Sequence, residues 1–309
     1  CADILEGLGD SADILEFGPG TGRMAATVLA ELARRGTLPR RYRLLEVSAD
    51  LRERQRAYLG LLPAALAGRI EWLERVPEEP LCGLVLANEV LDALPCERFA
   101  MLDGAIFELG VGLGARDALT ERAAPARPAV AAAVQNIREG LTQPWPSAYR
   151  SELCLRVHPW IAALGSALSR GVALLFDYGL PRAHYYHPQR YLGTLQCHYR
   201  HRAHEACLWQ PGLQDITAWV DFTRVAEAAA SADLELLGFA TQAAFLLGNG
   251  IENRLADTDN TVRHATLAGE AQRLLLPGEM GEAVKVMALG RDFDAELKGF
   301  ALQDLRRSL

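Results

Sequence analysis

Short apolar runs alternate along the chain with segments whose apolar residues recur at helical spacing, the pattern of buried strands interleaved with amphipathic helices. "ADILEFG" (12–18) reads as a buried parallel strand. Met24, Val28 and Leu32 then recur every four residues through "TGRMAATVLAELARRG" and stop at Gly36, which predicts a helix with that stripe facing the core. "RYRLLEVS" (41–48) reads as a second strand. Ser48 is placed to cap a helix through "ADLRERQRAYLG", with Leu51, Gln55 and Leu59 on one face and Gly60 at its end. "RIEWLERV" (69–76) supplies a third strand and the opening of "CGLVLANEVLDALP" (82–95) a fourth.

After the fourth strand the rhythm breaks. Residues 97–150 read as an insertion: "RFAMLDGAIFELGVG" predicts a hairpin turning on Asp103-Gly104, followed by an Ala-rich helix and a Pro/Trp loop at "TQPWPSAY". The rhythm resumes with a helix through "LCLRVHPWIAALGSALSRG", irregular at Pro159, and a fifth strand, "VALLFDYG" (172–179). Residues 180–220 are rich in Tyr, His and Arg, show no clean period and are too long for an idle connection, so they are expected to cover a site. "DFTRVAEAAASAD" predicts a helix, "LELLGFA" a strand, 241–282 mostly helix, and "AVKVMALG" a last strand. Strands and helices in alternation define an α/β fold with a mainly parallel, doubly wound sheet covered by helices on both faces.

The 309 residues are half hydrophobic and 23% charged, as a globular chain requires. With 39 acidic against 32 basic residues and a net charge of -7, the composition argues against non-specific nucleic-acid binding, which needs a basic face. Cys1, Cys82, Cys96, Cys154, Cys197 and Cys207 form no CxxC pair, which points to a reducing, cytoplasmic setting. No apolar stretch is long enough for membrane insertion, and residues 1–15 lack the layout of a signal peptide. The sequence starts at Cys1 rather than Met and so says nothing of a targeting segment ahead of it.

The chemistry starts at "ILEFGPGTGRM" (14–24), where Gly18, Gly20 and Gly22 follow a strand and open a helix. Such a loop lets a ligand approach the backbone at a helix N-terminus, and dinucleotide, nucleoside-triphosphate and S-adenosylmethionine sites all use one. Arg23 and Met24 stand where a triphosphate loop needs GK[ST], and the spacing is GxGxG rather than GxGxxG. Glu16 ahead of the loop would repel a pyrophosphate and suits a cationic ligand with an amino-acid tail. Glu46, ending the second strand, is positioned to take two ribose hydroxyls. A simple tight turn is the competing reading of the glycines.

In a doubly wound sheet the ligand lies at the carboxyl ends of the strands, so "NEVLD" (88–92) should face the glycine loop. Asn88 and Glu89 would border the ligand, with Asp92 one helical turn beyond Glu89; the plainer reading is a helix N-terminus that favours acids. Trp72 either borders an adenine or belongs to the core. His184, His187, His198, His201 and His204, with Cys197 and Cys207, superficially suggest zinc. Lacking CxxC or HExxH, they read as a polar lid or substrate groove, and no metal site is expected.

"LEFGPGTGRM", "LLEVSADLRERQ", "LANEVLDALPCERF", "LLFDYG", "YLGTLQCHYRH" and "PGLQDITAWVDFT", in this order, resemble the MidA family of S-adenosylmethionine-dependent methyltransferases. The last two motifs and "NEVLDALP" are the most specific to it. The resemblance implies a seven-stranded class I methyltransferase fold, Rossmann-like, with the last strand antiparallel and an inserted hairpin and helical substrate region. It implies S-adenosylmethionine as cofactor and S-adenosylhomocysteine as product. With the breaks in rhythm, the chain is expected to divide into a cofactor-binding half (1–96), the insertion (97–150), and the remainder of the core (151–309), including the 180–220 active-site loop.

By the resemblance, Gly18, Gly20 and Gly22 hold the methionine part, Glu46 the ribose, and Asn88 and Glu89 the mouth of the site. Glu152 falls where the family shows a glutamate. Asp177 and Tyr178 end the fifth strand on the same rim, and Gln214 and Asp215 lie in the family-specific loop. The acceptor implied is an arginine of a protein, a respiratory-complex component for the family's mitochondrial member in complex I assembly. A guanidinium has a pKa above about 12 and is a poor nucleophile, so carboxylates must orient it and hold its charge. Glu89, Asp92 and Asp215 are the catalytic candidates. A scaffold that binds the cofactor with little catalysis, and a small-molecule methyltransferase, are the alternatives.

Overall fold

The chain is described by a computed structural model over residues 1–200, 202–256 and 261–309. Contacts divide it into two units. The first comprises Cys1–Val90, Pro159–Asp177 and Ala226–Ser308; the second comprises Leu91–His158 and Tyr178–Val225, with the terminal Leu309.

In the first unit β1 (Asp13–Phe17) is buried along its whole length, as an apolar run with strands on both sides must be. It pairs in parallel with β2 (Tyr42–Leu45) and β4 (Leu81–Asn88). β2 pairs in parallel with β3 (Ile70–Leu73), and β4 with β9 (Leu168–Leu180). β14 (Glu235–Thr241) and β15 (Val284–Arg291) are antiparallel, and the seven strands run in the order β3-β2-β1-β4-β9-β15-β14. The fold expected from the sequence is therefore present, with the antiparallel last strand. Because β1 and β4 lie side by side and their following segments diverge, the glycine loop and the tip of β4 meet at one end of the sheet.

Helix α1 (Ala2–Leu8), which the sequence reading did not identify, packs Ile4, Leu5 and Leu8 into the core. Helix α2 (Arg23–Arg35) forms as expected, but its buried stripe is Ala25, Ala26, Leu29 and Leu32. Met24 and Val28 flank that stripe, partly buried. Ala25 and Ala26 carry little bulk, so the larger Met24 and Val28 dominate the sequence pattern although they sit at the edge of the buried face. Helix α3 (Ala49–Leu59) starts where Ser48 Oγ accepts the Leu51 N–H at 3.3 Å, and it buries Gln55 and Leu59.

The second unit is built on β5 (Glu97–Leu102), β6 (Ala105–Leu113), β7 (Leu119–Pro125) and β8 (Ala148–Leu153), ordered β7-β6-β5-β8 and antiparallel throughout. The expected hairpin turn is there: Asp103 and Gly104 have φ of 48° and 84°, the two positive values that match hairpin twist. Helix Pro128–Glu139 lays Val130, Val134 and Ile137 on a cluster of Phe99, Trp145, Tyr149 and Tyr186, with Trp145 and Tyr149 stacked at 4.4 Å. The helix expected from Leu153 onward starts only at Val157, because Leu153 is paired with Glu97 as the last residue of β8. Pro159 then falls in the first turn, where its missing N–H costs nothing.

The 180–220 stretch carries a second small sheet. β10 (Gln196–Tyr199) lies between β11 (Arg202–His204) and β12 (Asp215–Thr217). β13 (Val220–Asp221) pairs with Gly179 and Leu180.

Candidate functional site

The glycine loop leaves β1 with Gly18, Gly20 and Gly22 at φ of 60°, 53° and 80°, a succession that side chains with a Cβ adopt only under strain. Gly22 caps α2, and a Cβ there would stand 3.2 Å from Leu59 of α3. A Cβ on Gly20 would meet nothing within 4 Å, so the loop lies open at the start of a 13-residue helix. Free N–H groups and the positive end of the helix dipole collect there.

Glu16 precedes the loop and is buried, its Oε2 accepting the Tyr42 hydroxyl at 2.7 Å. Burial pushes its carboxyl up to about 7, and the Tyr42 hydrogen bond offsets only part of that rise. A carboxyl raised on folding gives stability that is present below its unfolded value of 4.5 and lost as pH climbs through about 7. The isosteric Glu16→Gln is therefore expected to stabilise the ligand-free protein at pH 8 by up to about 3 kcal/mol and to change little at pH 4. Denaturant titrations of both proteins at the two pH values check this.

Glu46, directly after β2, is also buried. Its Oε1 accepts the Ser48 N–H at 2.8 Å and its Oε2 accepts Gln55 Nε2 at 3.3 Å. Trp72 lies within β3, half-buried against the core, and donates Nε1–H to Gln55 Oε1 at 3.1 Å.

At the tip of β4, Asn88 is exposed and its Nδ2 approaches Glu89 Oε1 at 3.5 Å. Glu89 has a φ of 52° and donates its N–H to the Phe176 carbonyl at 2.8 Å, leaving its side chain exposed. Val90 donates its N–H to Oδ2 of the buried Asp177 at 3.2 Å. A Cβ on Gly18 would stand 3.3 Å from Val90, so the loop packs on this turn. Within the first unit the structure thus brings together Glu16, Gly18, Gly20, Gly22, Glu46, Asn88, Glu89 and Asp177 at the carboxyl ends of the strands.

One expectation fails here. Asp92 is not a helical turn beyond Glu89, since residues 89–95 contain no helix. The left-handed backbone of Glu89, with its N–H held by the Phe176 carbonyl, turns the chain away from helical geometry. Asp92 belongs to the second unit, where it is buried and its main-chain carbonyl accepts the Ala218 N–H at 3.1 Å.

Glu152, on β8, is 1% exposed, and burial raises its carboxyl above the ordinary range. It accepts the Thr194 N–H at 2.9 Å and the Thr194 hydroxyl at 3.4 Å. Gly193 has a φ of 82°, and a Cβ there would collide with the Glu152 carboxylate. Two motifs far apart in sequence, "SEL" and "YLGTL", are thereby one structural feature. Gly193→Ala is expected to destabilise the protein by roughly 2–4 kcal/mol through left-handed strain and collision with a buried charge, read by denaturant unfolding.

Gln214 donates Nε2–H to the Cys207 carbonyl at 2.9 Å, closing the loop ahead of β12. Asp215 is exposed opposite His198, and Tyr178 is half-buried. His201 lies outside the described residues. Among the described residues no group of three or more His, Cys, Asp or Glu side chains could hold a metal ion. The residues the sequence reading missed are Tyr42 and Gln55. The one signal available was a polar residue, Gln55, on the otherwise apolar face of α3.

An open glycine loop on a helix N-terminus, flanked by two buried acids at the ends of β1 and β2, fits the amino-acid tail and ribose of S-adenosylmethionine, and the sheet order is that of the class I methyltransferases. Residues 1–240 match the family described as "Putative S-adenosyl-L-methionine-dependent methyltransferase", and the chain belongs to it. It is an S-adenosylmethionine-dependent methyltransferase, as the motifs implied.

The Danio rerio protein arginine methyltransferase NDUFAF7, a mitochondrial protein, is 27% identical over 308 residues, covering 90% of this chain and 69% of that protein. Its Mus musculus counterpart is 28% identical over 316 residues, covering 93% and 68%. A Burkholderia thailandensis protein crystallised with S-adenosyl-homocysteine is 38% identical with a TM-score of 0.91, covering 100% of this chain and 78% of its own. A native crystal structure from the same organism gives 38% and 0.93, covering 100% and 81%. No helix among the described residues is long and apolar enough to cross a membrane.

Proposed function

We propose that this methyltransferase acts on an arginine side chain of a protein. The observation that carries the reading is Glu89, an exposed carboxylate held in a left-handed turn at the tip of the central strand beside the glycine loop. A charged, non-glycine residue in that conformation stores strain, and such strain persists where a site needs it. The relatives named as protein arginine methyltransferases support the choice of acceptor.

S-adenosylmethionine supplies a methyl group already activated by its sulfonium. The chain's own residues have to align the acceptor and keep water out. The Gly18–Gly22 backbone and Glu16 would hold the methionine part, Glu46 would take both ribose hydroxyls, and Asn88 would line the mouth. Glu89 would accept two guanidinium N–H groups, orient the attacking nitrogen and receive its proton on a carboxylate oxygen. Asp177 acts through the Val90 N–H by holding the turn that presents Glu89. Asp92 and Asp215 are further candidates for holding the acceptor's charge. Glu152, Tyr178 and Gln214 are assigned to the acceptor side, Glu152 acting through the Thr194 turn. Six free thiols support a cytoplasmic setting.

The test is the identity of the product. Extract proteins incubated with the enzyme and methyl-labelled S-adenosylmethionine, then hydrolysed, are expected to yield labelled methylarginine. Label recovered only in methyl-lysine or in a small molecule would overturn the arginine reading.

A further inference from the structure

Gln55 is completely buried on the α3 face that Leu59 shares, and its carboxamide makes three hydrogen bonds to three different elements. Nε2 donates to the Gly20 carbonyl of the glycine loop at 2.8 Å and to Glu46 Oε2 at 3.3 Å. Oε1 accepts the Trp72 indole N–H at 3.1 Å. The amide therefore spends both of its hydrogens on the loop and on the ribose acid.

An indole nitrogen only donates, so Trp72 fixes which end of the carboxamide faces β3, and this turns the NH2 toward Glu46 and Gly20. A methionine would fill the same space without a polar group to satisfy. What the glutamine adds is the bonding. Glu46 Oε1 is held by the Ser48 N–H and Oε2 by Gln55, which fixes the carboxylate plane while each oxygen keeps a lone pair for a ribose hydroxyl. Gly22 permits this closure through its left-handed φ of 80°, and a Cβ there would crowd Leu59 at 3.2 Å while only touching Gln55.

We propose that Gln55 is a positioning residue for the cofactor, oriented by Trp72, which locks the Glu46 carboxylate and the Gly20 carbonyl into one unit. It couples the part of the site that takes the ribose to the part that takes the methionine tail. The proposal rests on the assignment of Glu46 to the ribose.

The experiment is calorimetric titration of the full chain with S-adenosylmethionine for Gln55→Met, Trp72→Phe, Glu46→Ala and the double variant Gln55→Met/Glu46→Ala, with steady-state kinetics alongside. Gln55→Met is expected to weaken binding about tenfold and raise KM with kcat nearly unchanged, and Trp72→Phe about threefold in the same sense. The double variant should lose less affinity than the sum of the two single losses, because part of what Gln55 does passes through Glu46 and the rest through the Gly20 carbonyl. Wild-type affinity in Gln55→Met, or losses that add in the double variant, would overturn the proposal. Wild-type affinity in Glu46→Ala would instead overturn the ribose assignment beneath it. Should Gln55→Met fail to fold, Trp72→Phe decides alone: unchanged affinity there refutes the orienting bond.

Discussion

Replacing Glu89 by glutamine is expected to lower methyl transfer by about tenfold or more while leaving S-adenosylmethionine affinity within about threefold of wild type. The amide keeps the shape of the side chain and loses the charge that would orient a guanidinium and take its proton. Rates with a methylarginine-yielding acceptor, and calorimetric affinities for the cofactor, read the two quantities separately. A parallel loss of both would make Glu89 a cofactor ligand instead. Glu89→Gly sharpens the test because the left-handed φ of 52° costs a glutamate about 1 kcal/mol that glycine escapes. That variant should melt about one degree higher than wild type and transfer no methyl groups. A melting temperature below wild type would mean that the strain relieved is smaller than the chain entropy glycine adds to the unfolded state.

The second large effect is expected at Glu46. Two ribose hydroxyls donating to a buried carboxylate are each worth about 1.5–3 kcal/mol, so Glu46→Ala should weaken S-adenosylmethionine binding by about a hundredfold or more. An analogue lacking the 2′-hydroxyl should bind wild type less tightly than the parent cofactor. The two ligands should bind Glu46→Ala equally. Equal preference for the parent cofactor in both proteins would place the ribose elsewhere.

The half of the site that could be read from the sequence is the half in which chemistry and local geometry coincide. Gly18, Gly20 and Gly22 need positive φ within one strand-loop-helix unit, and Glu46 sits where β2 ends, so adjacent residues carried the whole signal. The rest depends on partners brought together by sheet pairing. Tyr42 reaches Glu16 across 26 residues, Gln55 reaches Gly20 across 35, and Thr194 reaches Glu152 across 42. No local period announces such pairs.

Tertiary contacts also overrode local preference at "NEVLD". Its acids and apolar spacing suit a helix start, but Glu89 takes a left-handed φ of 52° and its N–H is held by the Phe176 carbonyl of the neighbouring strand. β7 escaped notice for a different reason. It is an edge strand whose residues are mostly exposed, so neither an apolar run nor a two-residue alternation marks it.

The most direct test of the account is a crystal structure of this chain with S-adenosylhomocysteine. The ribose hydroxyls are predicted to lie within about 3 Å of the Glu46 carboxylate, with the homocysteine tail along Gly18–Gly22 and the sulfur facing Glu89. A ligand whose ribose lies away from Glu46, or whose sulfur faces away from Glu89, would contradict the account.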